Sequence, residues 1–226
     1  LKLTTAYCSF VNGGKLIEPI FLDRIQDSEG STIYNSEKRT CEKCEDISYL
    51  GDEIPIIKDN FQRVFSEETA YQITSMLEGV IKRGTGKKLR DLELPLAGKT
   101  GTTNKNMDTW FVGFTSKIVV GVYVGFDEPK SLGKYETGAK AALPIFKDFI
   151  KKVTLKRDAR PFKIPNGITL VMVDSKSGMP ADINTKKIIY ESFKTSNLDK
   201  AKLEFKNNEV KNIYSNKNRK KSLKFY

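Results

Sequence analysis

The segment Gly98-Lys99-Thr100-Gly101-Thr102 puts an ammonium, two hydroxyls and two glycines into five consecutive residues. Leu94 to Thr102 reads as a β-strand. Period-two alternation places Lys99 and Gly101 on one face and Thr100 and Thr102 on the other. A bulge near the glycines would turn Thr102 towards the lysine's side. A lysine buried beside glycine on a strand is costly unless it is paired or functional. Glycine lets the backbone of a ligand lie along the strand as an added partner. The ammonium supplies a cation, the threonines supply donors for a carboxylate, and a backbone N–H can meet a developing oxyanion. These are the parts of an acyl-transfer site that takes a peptide with a free carboxylate. The simpler alternative is an edge strand with a solubilising lysine. A phosphate-binding loop is excluded. The pattern G-x-x-x-x-G-K-[ST] ending at Thr100 needs glycine where Glu93 stands, and Gly86-Lys87 fails at Ile81.

Several elements must hold this strand in place. Leu3, Ala6, Tyr7, Phe10 and Val11 share one helical face, which Asn12-Gly13-Gly14 should end. Ile17 to Ile25 alternates loosely and predicts a strand. The turn-rich stretch 27–60 reads as a surface excursion. Ser66 to Arg83 carries the strongest helix signal. Ser66 caps it, Glu67 and Glu68 fill the first turn, Ala70, Ile73 and Leu77 begin a buried stripe, and Gly84 stops it. The spacing predicts further strands at Thr109–Thr115 and Ile118–Phe126. Ser116-Lys117 links them tightly enough for an antiparallel hairpin. Both are apolar at nearly every position, so both faces should be covered. A helix follows around Ala142 to Ile150, with Pro144 in its first turn. Ile168 to Val173 predicts a strand with a turn at Asp174 to Gly178, and the pattern dissolves beyond Thr195.

Of the 226 residues, 39 are Lys or Arg and 28 are Asp or Glu, a net charge of +11. Much of the excess lies in the tail. Residues 200 to 226 carry nine basic residues against Glu204 and Glu209, which reads as a solvated face with few aromatics for nucleic-acid stacking. Nucleic acid is therefore not an expected partner. No apolar run approaches the length that spans a bilayer. The chain has no histidine, which rules out Ser-His-Asp triads and histidine metal sites. Neither a cofactor nor a metal is called for. Cys41-x-x-Cys44 leaves open a zinc half-site, a redox pair, a local disulfide or free thiols.

LAGKTGTTNKNMDTWFVGFT (96–115), VVGVYVGFDEP, GAKAALPIFKDFI and the earlier ITSMLEGVIKRGTGKKL together resemble the transpeptidase domain of class A, bifunctional penicillin-binding proteins. The opening LTTAYCSFVNGGKLIEPIF and GITLVMVDSKSGMPA extend the resemblance over residues 1–195, with 27–60 as an insertion and 196–226 as a basic tail. The resemblance implies an α+β, serine β-lactamase/transpeptidase-like fold with an antiparallel sheet between helical layers. The N-terminal half of that domain is expected to be missing. It implies cross-linking of peptidoglycan stem peptides through an acyl-serine, with β-lactam antibiotics acylating the same serine. Lys99 would shuttle protons and orient the substrate carboxylate. Thr100 and Thr102 would bind that carboxylate, Gly101 would keep the strand open, and the Thr102 N–H would serve the oxyanion hole. Asp108 and Trp110 match the arm beyond the strand and read as supports.

The family needs Ser-x-x-Lys, then Ser-x-Asn, then Lys-Thr-Gly. Here the one Ser-x-x-Lys is Ser131-Leu132-Gly133-Lys134, which comes after Lys99 in a loop, and no Ser-x-Asn occurs. The missing motifs are expected upstream of Leu1, together with a glycosyltransferase domain acting on a lipid-linked precursor and a membrane anchor. The chain alone is then expected to be inert. The implied location is the periplasmic side of a bacterial inner membrane, where a Cys41–Cys44 disulfide would persist. The rival readings are a serine β-lactamase-like hydrolase and a non-catalytic binding module.

Overall fold

The computed structural model describes residues 1–37, 39–42, 56–58, 60–155 and 159–198. The proposed tail beyond 198, Cys44 and most of the middle of the 27–60 excursion lie outside the described residues.

The centre is a three-stranded antiparallel sheet of β5 (Ala97–Thr102), β6 (Thr109–Phe114) and β7 (Val119–Val124), in that spatial order. The register is unbroken, with Ala97 opposite Phe114 and Thr102 opposite Thr109. In the second pair, Thr109 lies opposite Val124 and Phe114 opposite Val119. Helices cover both faces. On one face, α1 (Lys2–Val11) lays Tyr7 against Phe114, with ring centroids 6.4 Å apart. On the other, α3 (Ala142–Val153) drives Phe146 against Phe111 at 4.8 Å, edge to face. Phe146, Leu143 and Ile150 are buried in α3, and Pro144 lies in its first turn as the spacing predicts. Leu89, Leu92 and Leu96 close the same core from the segment that leads into β5.

Helix α2 (Glu67–Lys82) has the predicted cap, with the Ser66 hydroxyl accepting from the Thr69 N–H at 3.3 Å. The carboxyl of Glu68 is held below its ordinary pKa range, mainly by hydrogen bonding to Ser66 and to its own backbone N–H. The hairpin β8 (Ile168–Asp174) and β9 (Ile188–Lys194) is tied to this helix. Gln72 donates to the Ser192 carbonyl, Lys194 donates to the Thr69 hydroxyl, and Arg83 pairs with Glu191 at 2.8 Å.

Three expectations are corrected. Ile17–Asp23 is not a strand. Strand β1 is only Arg24–Gln26, and it pairs with β2 (Thr32–Asn35) in an exposed hairpin. Pro19 lacks a donor, and no described strand lies beside that stretch. Strand β7 is covered incompletely on one face: Val120, Val122 and Val124 pack on the core, and Thr4 of α1 lies over Gly121, but Tyr123 remains exposed. Strand β9 falls where no element is expected, since Glu191 and Ser192 interrupt its apolar residues. Two short strands, β3 (Thr40–Glu42) and β4 (Ile56–Lys58), pair within the excursion.

Truncating a ring held between helix and sheet leaves a cavity that rigid β6 cannot fill. Phe146→Ala is expected to lower the unfolding free energy by about 3–5 kcal/mol in urea titration. Ile145→Ala, one residue away and exposed, should change it by less than about 0.5 kcal/mol.

Candidate functional site

Strand β5 hydrogen-bonds to β6 along one edge, and no described strand occupies the other. The Thr103 N–H donates to the Asp108 carbonyl at 3.0 Å. Antiparallel pairing alternates, so the backbone groups of Gly101, Lys99 and Ala97 also face β6. Those of Gly98, Thr100 and Thr102 face the open edge. Gly98 is buried, so the accessible part of that edge is its Thr100 and Thr102 half, where backbone groups recur at the two-residue interval an added strand requires.

The side chains follow the alternation without a bulge. Lys99 and Gly101 share the face of Trp110 and Val112, while Thr100 and Thr102 point to the opposite face. Thr102 therefore keeps the face that strict alternation gives it, and no bulge turns it towards the lysine's side. Lys99 is exposed rather than buried, although α2 packs against β5 and Gly98 beside it is buried. Its ammonium donates to the Thr100 carbonyl at 2.8 Å. The cation therefore rests on the same edge as the Thr100 and Thr102 backbone, and the two faces of the motif meet there.

Two contacts that the sequence does not single out position the hydroxyls. The Thr85 and Thr100 hydroxyl oxygens lie 2.8 Å apart. The Gly138 N–H donates to the Thr102 hydroxyl at 3.1 Å. Residue 138 must be glycine. A Cβ there would lie 2.4 Å from the Trp110 carbonyl oxygen and 2.5 Å from that of Gly101, both backbone. The only sequence signal for these residues was the glycine spacing in Gly84-Thr85-Gly86 and in Gly138-Ala139.

The arm after β5 brings Asp108 and Trp110 together around Tyr123. Tyr123 donates to Asp108 Oδ1 at 2.7 Å, and its ring lies 4.8 Å from that of Trp110. The Asp108 N–H donates to the Thr103 hydroxyl at 2.8 Å, closing the turn. Donation to the Asp108 carboxylate pushes the Tyr123 phenol above its ordinary pKa. Asn106 adds a tether by donating to the carbonyls of Gly133 and Lys134.

Ser131 lies in that tethered loop, outside any helix, where its hydroxyl accepts from the Gly133 N–H. It is not placed at a helix end as an activated serine would be. Cys41 lies on β3, and its proposed partner Cys44 is outside the described residues. Cys8 is a free thiol whose pKa burial pushes up. Among the described residues, no helix is long and apolar enough to cross a membrane.

The family model for the penicillin binding protein transpeptidase domain matches residues 1–151. Penicillin-binding protein 1A of Rickettsia prowazekii is 45% identical over 201 residues, covering 87% of this chain and 25% of that protein. Penicillin-binding protein 1A of Pseudomonas aeruginosa is 32% identical over 224 residues, covering 86% and 27%. The crystal structure of penicillin-binding protein 1A from Haemophilus influenzae superposes with a TM-score of 0.68 at 30% identity, covering 84% of this chain and 31% of that one. The chain spans about a quarter of the length of the curated relatives it matches.

The raised Tyr123 pKa has a definite sign. The phenol is harder to ionise when folded, so its contribution to stability is complete below the unfolded tyrosine value of about 10 and is lost as pH rises through the folded value. In an NMR titration Tyr123 should ionise above pH 10, and Asp108→Asn should bring its midpoint down. A midpoint unmoved by Asp108→Asn would remove the carboxylate as the cause. Gly138→Ala should destabilise the chain by about 2 kcal/mol or more in urea titration, because backbone oxygens cannot move aside.

Proposed function

Because the chain belongs to the penicillin-binding protein transpeptidase family, we propose that it contributes the Lys-Thr-Gly wall of a peptidoglycan D,D-transpeptidase site. Its fold is of that α+β type, an antiparallel sheet between helical layers. The observation that carries the functional reading is the open edge of β5, where a cation, two hydroxyl-bearing residues and unpaired backbone groups converge.

A stem peptide ending in a D-alanyl carboxylate docks along this edge as an added strand. The Thr100 and Thr102 hydroxyls donate to the carboxylate, and the Lys99 ammonium lowers the cost of placing that charge there. Gly101 leaves the face beside Trp110 open to the acyl chain. The Thr102 N–H points at the open edge and donates to the oxyanion that forms when a serine attacks the scissile carbonyl. Lys99 passes a proton between nucleophile and leaving amine. Among the described residues no serine has the setting of an activated nucleophile, so the reading takes the nucleophile, its lysine and the Ser-x-Asn from polypeptide outside these residues. Without them the chain does not acylate. β-Lactams carry the same carboxylate beside a strained amide and occupy the same edge.

The whole protein is then a bifunctional wall synthase, working on lipid-linked precursor at the periplasmic face of the inner membrane through an anchor outside this chain. In that oxidising space Cys41 and Cys44 form a disulfide. The match to a transpeptidase family over residues 1–151 favours cross-linking over the β-lactamase-like reading.

Fluorescent penicillin tests the assignment. In the full-length protein, Lys99→Ala should slow acylation by about 100-fold or more. Thr102→Val should slow it by about 10-fold or more, through the loss of a hydrogen bond to a charged group. The 226-residue chain alone should remain unlabelled. Covalent labelling of that chain would overturn the split site, and full activity of Lys99→Ala would overturn the role of the strand.

A further inference from the structure

Thr85 has no counterpart in the Lys-Thr-Gly motif, yet its hydroxyl is the one side-chain group that touches the Thr100 hydroxyl among the hydrogen bonds of the described residues, at 2.8 Å. The two residues are 15 apart in sequence and belong to different elements.

The turn that carries Thr85 is built to hold it there. The last turn of α2 closes with three backbone bonds, from the Arg83 N–H to the Gly79 carbonyl and from the Gly84 and Gly86 N–H groups to the Val80 carbonyl. Glycine on both sides permits this tight closure. A Cβ at 84 would lie 3.0 Å from the Val80 backbone, and one at 86 would lie 2.6 Å from the Ile81 side chain in the core. The chain then continues into the 3-10 turn Lys87–Leu92, whose Leu89 and Leu92 are buried. Thr85 is thus fixed on both sides by packed structure, with its hydroxyl delivered to the inner half of the β5 edge.

We infer that Thr85 is a positioning residue for substrate-carboxylate recognition, orienting the Thr100 hydroxyl so that its proton points at the ligand. This rests on the reading of Thr100 as a carboxylate-binding hydroxyl. A hydroxyl has one proton and two lone pairs. With the edge empty, either threonine can donate to the other. When a carboxylate arrives, Thr85 donates to Thr100 and Thr100 donates to the carboxylate. Both protons stay on their own oxygens, so only two torsions change. A donor already bonded at its own oxygen is a stronger donor, so the pair binds the anion better than Thr100 alone. The effect depends on ligand charge. A ligand whose carboxylate is masked gains nothing from Thr85.

Acylation rates of the full-length protein with fluorescent penicillin and with the methyl ester of the same penicillin test this. Thr85→Val should lower the rate constant for the free acid by about 2- to 10-fold, the range of one hydrogen bond, and leave that for the ester unchanged. Thr85→Ser should restore the free-acid rate. Thr85→Val added to Thr100→Val should cause no further loss, since the relay is already broken. Equal losses with acid and ester, or full additivity with Thr100→Val, would overturn the inference and leave Thr85 a structural residue. If Thr85→Val misfolds on heating, Thr85→Ala carries the same comparison with a smaller side chain. A silent Thr85→Val beside an impaired Thr100→Val would overturn the relay alone. A silent Thr100→Val would overturn the carboxylate reading beneath it.

Discussion

Half of the backbone hydrogen-bonding groups of β5 face β6, and the other half face no strand of the described chain. Unpaired N–H and C=O groups in register are a standing template for another extended segment. The protein keeps this edge presentable. The Lys99 ammonium rests on the Thr100 carbonyl, and a lysine at an edge discourages indiscriminate pairing. The same cation is the one proposed to receive an anionic peptide terminus. The same side chain can serve both states because it is exposed and free to swing.

Such an edge is useful only if the strand behind it does not move. Packing supplies that rigidity. The buried rings of Phe111 and Phe146 lock β6 to α3, and Tyr7 locks the opposite face through Phe114. Gly138 then lies on the backbone of β5 and β6 at contact distance, where no side chain would fit. These contacts hold β5 against β6 and the helices on either face. The Asp108, Tyr123 and Trp110 cluster does the same for the arm that leaves the strand.

The two threonines of the motif point away from the lysine, yet their hydroxyls can act with it. In a pleated strand opposite faces converge at an open edge, so a ligand lying along that edge reaches both. The hydroxyl neighbours, Thr85 and the Gly138 N–H, approach from the α3 side and steer the threonines outward to the same line. These hydroxyl contacts draw on three separate chain segments.

The order and type of the principal elements were legible in the residues. Ser66 to Gly84 spells a capped helix, the apolar runs at 109–115 and 118–126 spell a hairpin, and Gly98 to Thr102 announces a strand with chemistry. Local propensity and patterning decide such features, and both are written in consecutive residues. The exposure of Lys99 and the partners Thr85 and Gly138 were not legible. They depend on which edge of β5 stays open and on contacts between residues 15 and 36 positions apart. Strand β9 was hidden for a related reason: its pairing with β8 and its ties to α2 outweigh a weak local pattern. Sequence by itself determined the parts and their chemistry. Tertiary structure alone decided which groups meet, because hydrogen bonds form between neighbours in space whatever their separation along the chain.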